Sequence, residues 1–250
     1  MSRLTEMYYS TVAAAYLRGL VLSGRAEGGV VRSIDPEVNG RSFTLPSELT
    51  TPPLDTLSEE EIERILERGE AAKFKLYRFK NTHDDLPRVR RVLGFLRSFC
   101  FDTLLDVGSG RGVFLWTFLT AFPTAKVTAV DLLTQWGELY DVVRAGGMDR
   151  LHGHVGEFEK IGYPDKSFDV VSLLEVLEHI PDYNRAIREA VRLARRHIVV
   201  SVPSKPDDNP AHIHLLTKEI LTDSFTNAGV ERLKFDGVNG CLILFATLKP

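Results

Sequence analysis

Cysteine is scarce in this chain: two in 250 residues, Cys100 and Cys241. They lie far apart and fit no zinc or redox spacing, which excludes a thiolate metal centre and leaves a disulfide between them as the less favoured reading. Two small buried thiols in apolar surroundings are expected instead. An excess of one charge is also missing. Lys plus Arg number 31 against 34 Asp plus Glu, a net charge of −3, so no global basic field argues for nucleic acid. Long apolar runs are lacking as well. The longest near the N-terminus, Met7 to Leu17, ends at Arg18 and is far shorter than the ~20 residues a membrane span needs. It also lacks the charged start and cleavage site of a signal peptide. A cytoplasmic protein with no membrane association is expected, and the run reads as a buried or amphipathic helix. No internal repeat or low-complexity tract is seen. What is present, 44% hydrophobic and 26% charged residues, is ordinary for a globular protein of one large domain, or one domain with an appendage.

Residues 1–85 read as an N-terminal helical and hairpin extension. Val30 to Ile34 and Arg41 to Leu45 flank the turn-like Asp35-Pro36-Glu37-Val38-Asn39-Gly40, which suits two short strands. Ser58 followed by Glu61 forms a capping box, and Ile62, Ile65 and Leu66 continue at helical spacing. Another helix starts near Pro87, with Val89, Val92, Leu93 and Leu96 on one face. From residue 101 strands and helices alternate. Strands are expected at 103–107, 126–130, 151–155, 168–174 and 197–202, and helices at 112–121, 134–145, 183–195 and 217–228. That alternation predicts an α/β, doubly wound, mostly parallel sheet over residues 86–250. It closes differently: Glu231–Phe235 and Cys241–Leu248, separated by residues 236–240, read as a hairpin.

The richest stretch is Leu104-Leu105-Asp106-Val107-Gly108-Ser109-Gly110-Arg111-Gly112. A buried strand ends on an acid and opens through a glycine turn into a helix. Such turns lie at the carboxyl edge of a parallel sheet, where small ligands bind. A dinucleotide fingerprint would need a third glycine or alanine at the position of Val113, so a nicotinamide dehydrogenase is disfavoured. Asp131 ends the next strand, 25 residues on, where a carboxylate can accept ribose hydroxyls. A third landmark runs from Gly156-Glu157-Phe158 to Ser167-Phe168-Asp169-Val170-Val171.

In order and spacing these three landmarks resemble the class I S-adenosylmethionine-dependent methyltransferases over about residues 86–250. The resemblance implies the Rossmann-like methyltransferase fold, a seven-stranded sheet whose last strand is antiparallel. It implies S-adenosylmethionine as cofactor. Asp106, Gly108, Ser109, Gly110 and Gly112 would face its methionine part, the acid bonding the amino group. Asp131 would hold the ribose, Leu132 would pack on adenine, and Glu157 with the backbone of Phe158 would meet the adenine edge. Glu175 is a further cofactor-binding candidate.

Chemistry beyond the cofactor points to Leu174-Glu175-Val176-Leu177-Glu178-His179. On a helical turn Glu175, Glu178 and His179 would share a face. With His212, or His214 beside it, they are candidate ligands for Mg2+ or Mn2+. Glu178 and His179 are the catalytic candidates, with or without metal. The run resembles those of ubiquinone-pathway O-methyltransferases and of small-RNA 2′-O-methyltransferases. Ser201-Val202-Pro203-Ser204-Lys205 lacks the Asn-containing segment expected of the RNA group, so a small-molecule hydroxyl is the favoured acceptor. Lys73, Lys75, Arg78, Lys80, Arg88, Arg90 and Arg91, with Phe74, Tyr77 and Phe79 interleaved, form either an RNA-facing patch or the solvated faces of two helices. Residues 1–85, with Tyr8, Tyr9 and Tyr16, are a candidate lid over the active site. A regulatory cofactor-binding protein without turnover stays open, and so does the oligomeric state.

Overall fold

A computed structural model describes residues 3–23, 26–27, 30–31 and 41–249. The expected turn at 35–40 lies outside them. The chain divides into two compact units. The first holds Met1–Asp84, Gly110–Thr124 and Leu133–Gly153, and the second holds Asp85–Ser109, Ala125–Leu132 and His154–Pro250.

In the first unit, α1 (Arg3–Met7) precedes α2 (Ser10–Leu22). Every residue of α2 from Val12 to Leu20 is buried, Arg18 included. A helix apolar nearly all round must be covered on every side. The Arg18 Nη2 donates to the carbonyls of Thr50 (2.8 Å) and Pro52 (2.5 Å). Tyr8, Tyr9 and Tyr16 are core residues here. Three short strands follow, β1 (Ala26–Glu27), β2 (Val30–Val31) and β3 (Arg41–Ser42), paired antiparallel in that order. Then come α3 (Ser47–Thr50) and α4 (Glu59–Ala71). The capping box at Ser58 forms: its hydroxyl accepts the Glu61 N–H, and its own N–H donates to Glu61 Oε2 at 2.8 Å. Such a cap stabilises a helix by about 1 kcal/mol. Ile62, Ile65 and Leu66 make its buried face.

The same unit contains α6 (Leu115–Ala121) and α7 (Thr134–Ala145). Helix α7 packs on α2 with the backbones in contact. A Cβ on Gly146 would fall 1.7 Å from the Ala15 carbonyl oxygen, so only glycine permits this approach. Helix α6 starts three residues later than the apolar pattern suggests, because Gly110 and Gly112 hold positive φ before it.

The second unit begins with α5 (Pro87–Leu96), which has Pro at its start and Val89, Val92, Leu93 and Leu96 buried. The longer strands of the chain are β4 (Thr103–Val107), β5 (Lys126–Asp131), β6 (Leu151–Val155, its first three residues belonging to the first unit), β7 (Phe168–Leu174), β8 (Ala194–Pro203), β9 (Arg232–Val238) and β10 (Cys241–Thr247). Helices α8 (Tyr183–Leu193) and α9 (Lys218–Asn227) come from this unit too. The seven strands form one sheet in the order β6-β5-β4-β7-β8-β10-β9. Strands β5, β4, β7 and β8 pair in parallel, and β10 runs antiparallel to both β8 and β9. This is the expected mixed sheet. Its hairpin is tighter than the sequence suggests: β9 runs on to Val238, so only Asn239 and Gly240 join it to β10. Cys241 is buried, as expected, but Cys100 is exposed, because it follows the end of α5 rather than packing into the core. Among the described residues no helix is long and apolar enough to cross a membrane.

Candidate active site

Strand β4 carries Asp106 into the interior, 2% exposed. One carboxylate oxygen, Oδ1, accepts the Ser172 hydroxyl from β7 at 2.6 Å. The other, Oδ2, is buried without a hydrogen-bond partner. Burial pushes the carboxyl up to about 6, the Ser172 and Ser109 hydroxyls pull it down, and the charge of Asp131 adds to the rise. The chain then turns. Gly108 and Ser109 both donate their N–H to the Val130 carbonyl, at 2.8 and 3.3 Å. Gly108 has φ 66°, and a Cβ there would lie 2.5 Å from Val176 Cγ2. Conformation and space therefore both demand glycine. Within the first unit, the Gly110 carbonyl accepts the Tyr140 hydroxyl at 2.6 Å, and Gly112 is buried under Trp116.

Asp131, half-buried, ends β5, and its carbonyl accepts the Gly156 N–H at 2.9 Å. Leu132 follows with 66% of its surface exposed. A leucine so placed at a strand end offers a bare apolar face to a ligand. Glu157 is exposed and ion-paired to Lys160 at 2.7 Å. The Phe158 side chain is buried in the core of the second unit.

After β7 the expected helical face does not form. Glu175 adopts φ 59°, a left-handed conformation that costs a non-glycine residue about 1–3 kcal/mol. Its N–H donates to the Ser201 carbonyl, and its Oε1 accepts the Ser201 hydroxyl at 2.7 Å and the Cys241 thiol at 3.4 Å. Burial, reinforced by the Glu175 charge, pushes that thiol up to about 12. A single 3-10 turn, Leu177–His179, then presents Glu178 and His179. Glu175 is thereby directed to β8 and β10, away from the other three candidate metal ligands.

Those three do meet. Ligand atoms of Glu178, His179 and His212 lie within 4.8 Å of one another. The segment bearing His212 is pinned by the Ile213 and His214 N–H groups, which donate to the Glu178 carbonyl at 2.9 and 3.3 Å. Glu178 is fully buried, and neither carboxylate oxygen has a hydrogen-bond partner. Burial pushes it up to about 8; Glu175 and Asp207 add to the rise and Arg88 opposes it. His179 Nδ1 sits 2.8 Å from the Ala211 carbonyl. A carbonyl can only accept, so Nδ1 carries a proton, and in the neutral ring the lone pair then sits on Nε2. His179 thus has one nitrogen engaged, as the imidazole of a metal ligand does. His212 Nδ1 lies 2.7 Å from Asp207 Oδ2, without the alignment of a hydrogen bond. His214 does not join them. Its Nε2 meets the Pro181 carbonyl and its ring packs on Tyr183.

Phe74 and Phe79 of the basic segment are core residues, leaving Tyr77 as its exposed aromatic. Arg90 pairs with Asp85 and Arg91 with Asp236. Asp207, Ser172 and Ser201 were not among the sequence candidates. The two serines did carry a signal: each is a lone hydroxyl inside an apolar strand, and a buried hydroxyl needs a partner.

Residues 105–199 match the family described as a methyltransferase domain. Over 107 residues the chain is 35% identical to the 27-O-demethylrifamycin SV methyltransferase of Amycolatopsis mediterranei, covering 42% of this chain and 39% of that protein. Over 171 residues it is 27% identical to the ubiquinone biosynthesis O-methyltransferase of Neisseria meningitidis, covering 60% of this chain and 68% of that one. The chain thus spans about two-fifths of the length of the first relative. Among solved structures, an S-adenosylmethionine-dependent methyltransferase from Aquifex aeolicus matches with TM-score 0.54 and 19% identity, over 67% of this chain and 93% of that chain. At that identity the likeness speaks for the fold.

Proposed function

We propose that the protein, whose residues 105–199 match a methyltransferase-domain family, is a class I S-adenosylmethionine-dependent methyltransferase that transfers a methyl group from this cofactor to a hydroxyl oxygen of a small metabolite. One observation carries the reading: a buried carboxylate, Asp106, keeps one oxygen without a partner at the strand end. A buried acceptor left unpaired costs about 1–3 kcal/mol, and a cationic amino group is the donor that would relieve it. The donor chemistry fits the residues. S-adenosylmethionine supplies, when bound, an electrophilic methyl carbon whose leaving group is a neutral thioether. What this chain must add is alignment, exclusion of water and, for a hydroxyl nucleophile, a place for its proton. In this reading Asp106, Gly108 and Ser109 receive the methionine end, Asp131 the ribose, and Leu132 with Glu157 and Phe158 the adenine.

His179 is the base within reach of solvent, because its Nδ1–H is fixed on Ala211 and its Nε2 is free to take a proton. The same three side chains suit a divalent ion. One carboxylate and two imidazoles favour Mn2+ over Mg2+, which prefers oxygen ligands. An ion held there by Glu178, His179 and His212 would lower the pKa of an acceptor hydroxyl. The relatives named as O-methyltransferases support oxygen as the methylated atom, and the buried Phe74 and Phe79 weigh against stacked RNA bases.

The test is transfer of labelled methyl from S-adenosylmethionine to fractionated small molecules or RNA, with and without EDTA. Label in a small hydroxyl compound, lost with EDTA and restored by Mn2+, is expected. Label in RNA alone overturns the acceptor assignment. Full activity in EDTA removes the ion and leaves His179 as base. Cofactor binding with no acceptor labelled in any fraction favours a protein without turnover.

A further inference from the structure

We infer that Ser172 is a positioning residue for cofactor binding: its hydroxyl holds one oxygen of Asp106 so that the other faces the ligand. The inference rests on the reading above, in which Asp106 receives the cofactor amino group.

Strand β7 is a continuous buried run from Phe168 to Leu173, and Ser172 is the one polar side chain in Val170–Leu174. It is 1% exposed. Packing alone would be served as well by alanine or valine, as at its neighbours Val170 and Val171. The register sets Ser172 directly opposite Asp106 on β4. Its oxygen lies 2.6 Å from Asp106 Oδ1 and 3.3 Å from the Leu105 carbonyl. A hydroxyl has one proton, and the shorter contact, to a carboxylate, takes it.

The consequence is asymmetric. With Oδ1 engaged, the carboxylate cannot turn freely, and Oδ2 stays buried and unpaired. Left to itself the group would swing to satisfy whichever oxygen was orphaned, or take up a proton. The other charged group acting on Asp106 is Asp131, which favours protonation. Asp169, further back on β7, is bound to Arg195 and serves the opposite end of the strand. Ser172 is therefore the neighbour on β7 that favours the charged, oriented form.

Binding of S-adenosylmethionine and of 5′-methylthioadenosine, which lacks the amino acid part, tests this in the full chain. For S172A we expect S-adenosylmethionine to bind about tenfold more weakly, the loss of one hydrogen bond to a charged group. For D106N the loss is about a hundredfold. Binding of 5′-methylthioadenosine is unchanged in both. The pH below which S-adenosylmethionine binding fails moves upward in S172A, since a donor to the charged form is gone. Should S172A not fold, S172C, of similar shape with a weaker donor, gives a smaller loss confined to S-adenosylmethionine. If D106N binds S-adenosylmethionine as the wild type does, the reading of Asp106 itself fails. If D106N loses it while S172A does not, the reading stands and the role of Ser172 is overturned. Equal weakening of both probes in S172A is a structural defect and overturns it too.

Discussion

Asp169 and Asp106 stand at opposite ends of the same two strands and are treated in opposite ways. At the amino end, Asp169 Oδ2 accepts the N–H groups of Asp102 and Thr103 and the Thr103 hydroxyl, and Oδ1 accepts from Arg195 at 2.6 Å. Burial pushes its carboxyl up, but these donors outweigh burial and hold it below the usual range. At the carboxyl end, Asp106 has the Ser172 hydroxyl on one oxygen and no partner on the other, and burial outweighs the serine hydroxyls. One end spends its carboxylate on joining strands. The other keeps bonding capacity in hand, which is where a parallel sheet binds its ligand.

The contrast is open to attack at both ends. The largest effect is expected from Asp169→Ala, which leaves the Asp102 and Thr103 amides without their acceptor: about 3 kcal/mol of stability lost in urea unfolding. A loss below 1 kcal/mol would mean the network is ornamental. Asp106→Asn should do the reverse. Stability stays within about 1 kcal/mol or rises, because a desolvated charge is removed, while the cofactor ceases to stabilise the fold in thermal melts.

Next in size is the pH response of the protein without ligand. The Asp169 contribution is present above the unfolded carboxylate value and is lost as pH falls through its lower folded value. Asp106, raised from 3.8 to about 6, contributes oppositely: fully below 3.8, lost as pH rises through 6. Melting midpoints of Asp106→Asn against pH should therefore lack the decline that the wild type shows between about pH 4 and 6. Parallel curves would refute the assignment.

The smallest shift in stability is expected from Glu178→Gln. Glu178, raised from 4.5 to about 8, already carries its proton at pH 7. The midpoint should move by no more than about 2 °C, yet Mn2+ binding, followed by calorimetry, should be lost. Retained Mn2+ affinity would exclude Glu178 as a ligand.

Much of this was legible in the residue order, because hydrophobic alternation and glycine punctuation are local. The strands carrying Asp106 and Asp131, the capping box at Ser58 and the antiparallel β10 all follow from such patterns. Glu175 was not legible. Its left-handed φ is imposed by Ser201 and Cys241, which arrive from distant parts of the chain, so the helical spacing of Glu175, Glu178 and His179 misled. Alternation likewise paired His212 with His214, whereas the bonds to the Glu178 carbonyl send only His212 to the cluster. The pairing of Asp207 with His212 leaves no mark at all in sequence.

The two thiols have a practical consequence. Cys241 is buried, bonded to Glu175 and held in its protonated form, so maleimide has no thiolate to attack there. Cys100 is exposed and precedes β4 at the end of the sheet opposite Asp106. A single fluorophore would therefore attach at the end of the sheet away from Asp106, with no residue needing to be replaced first.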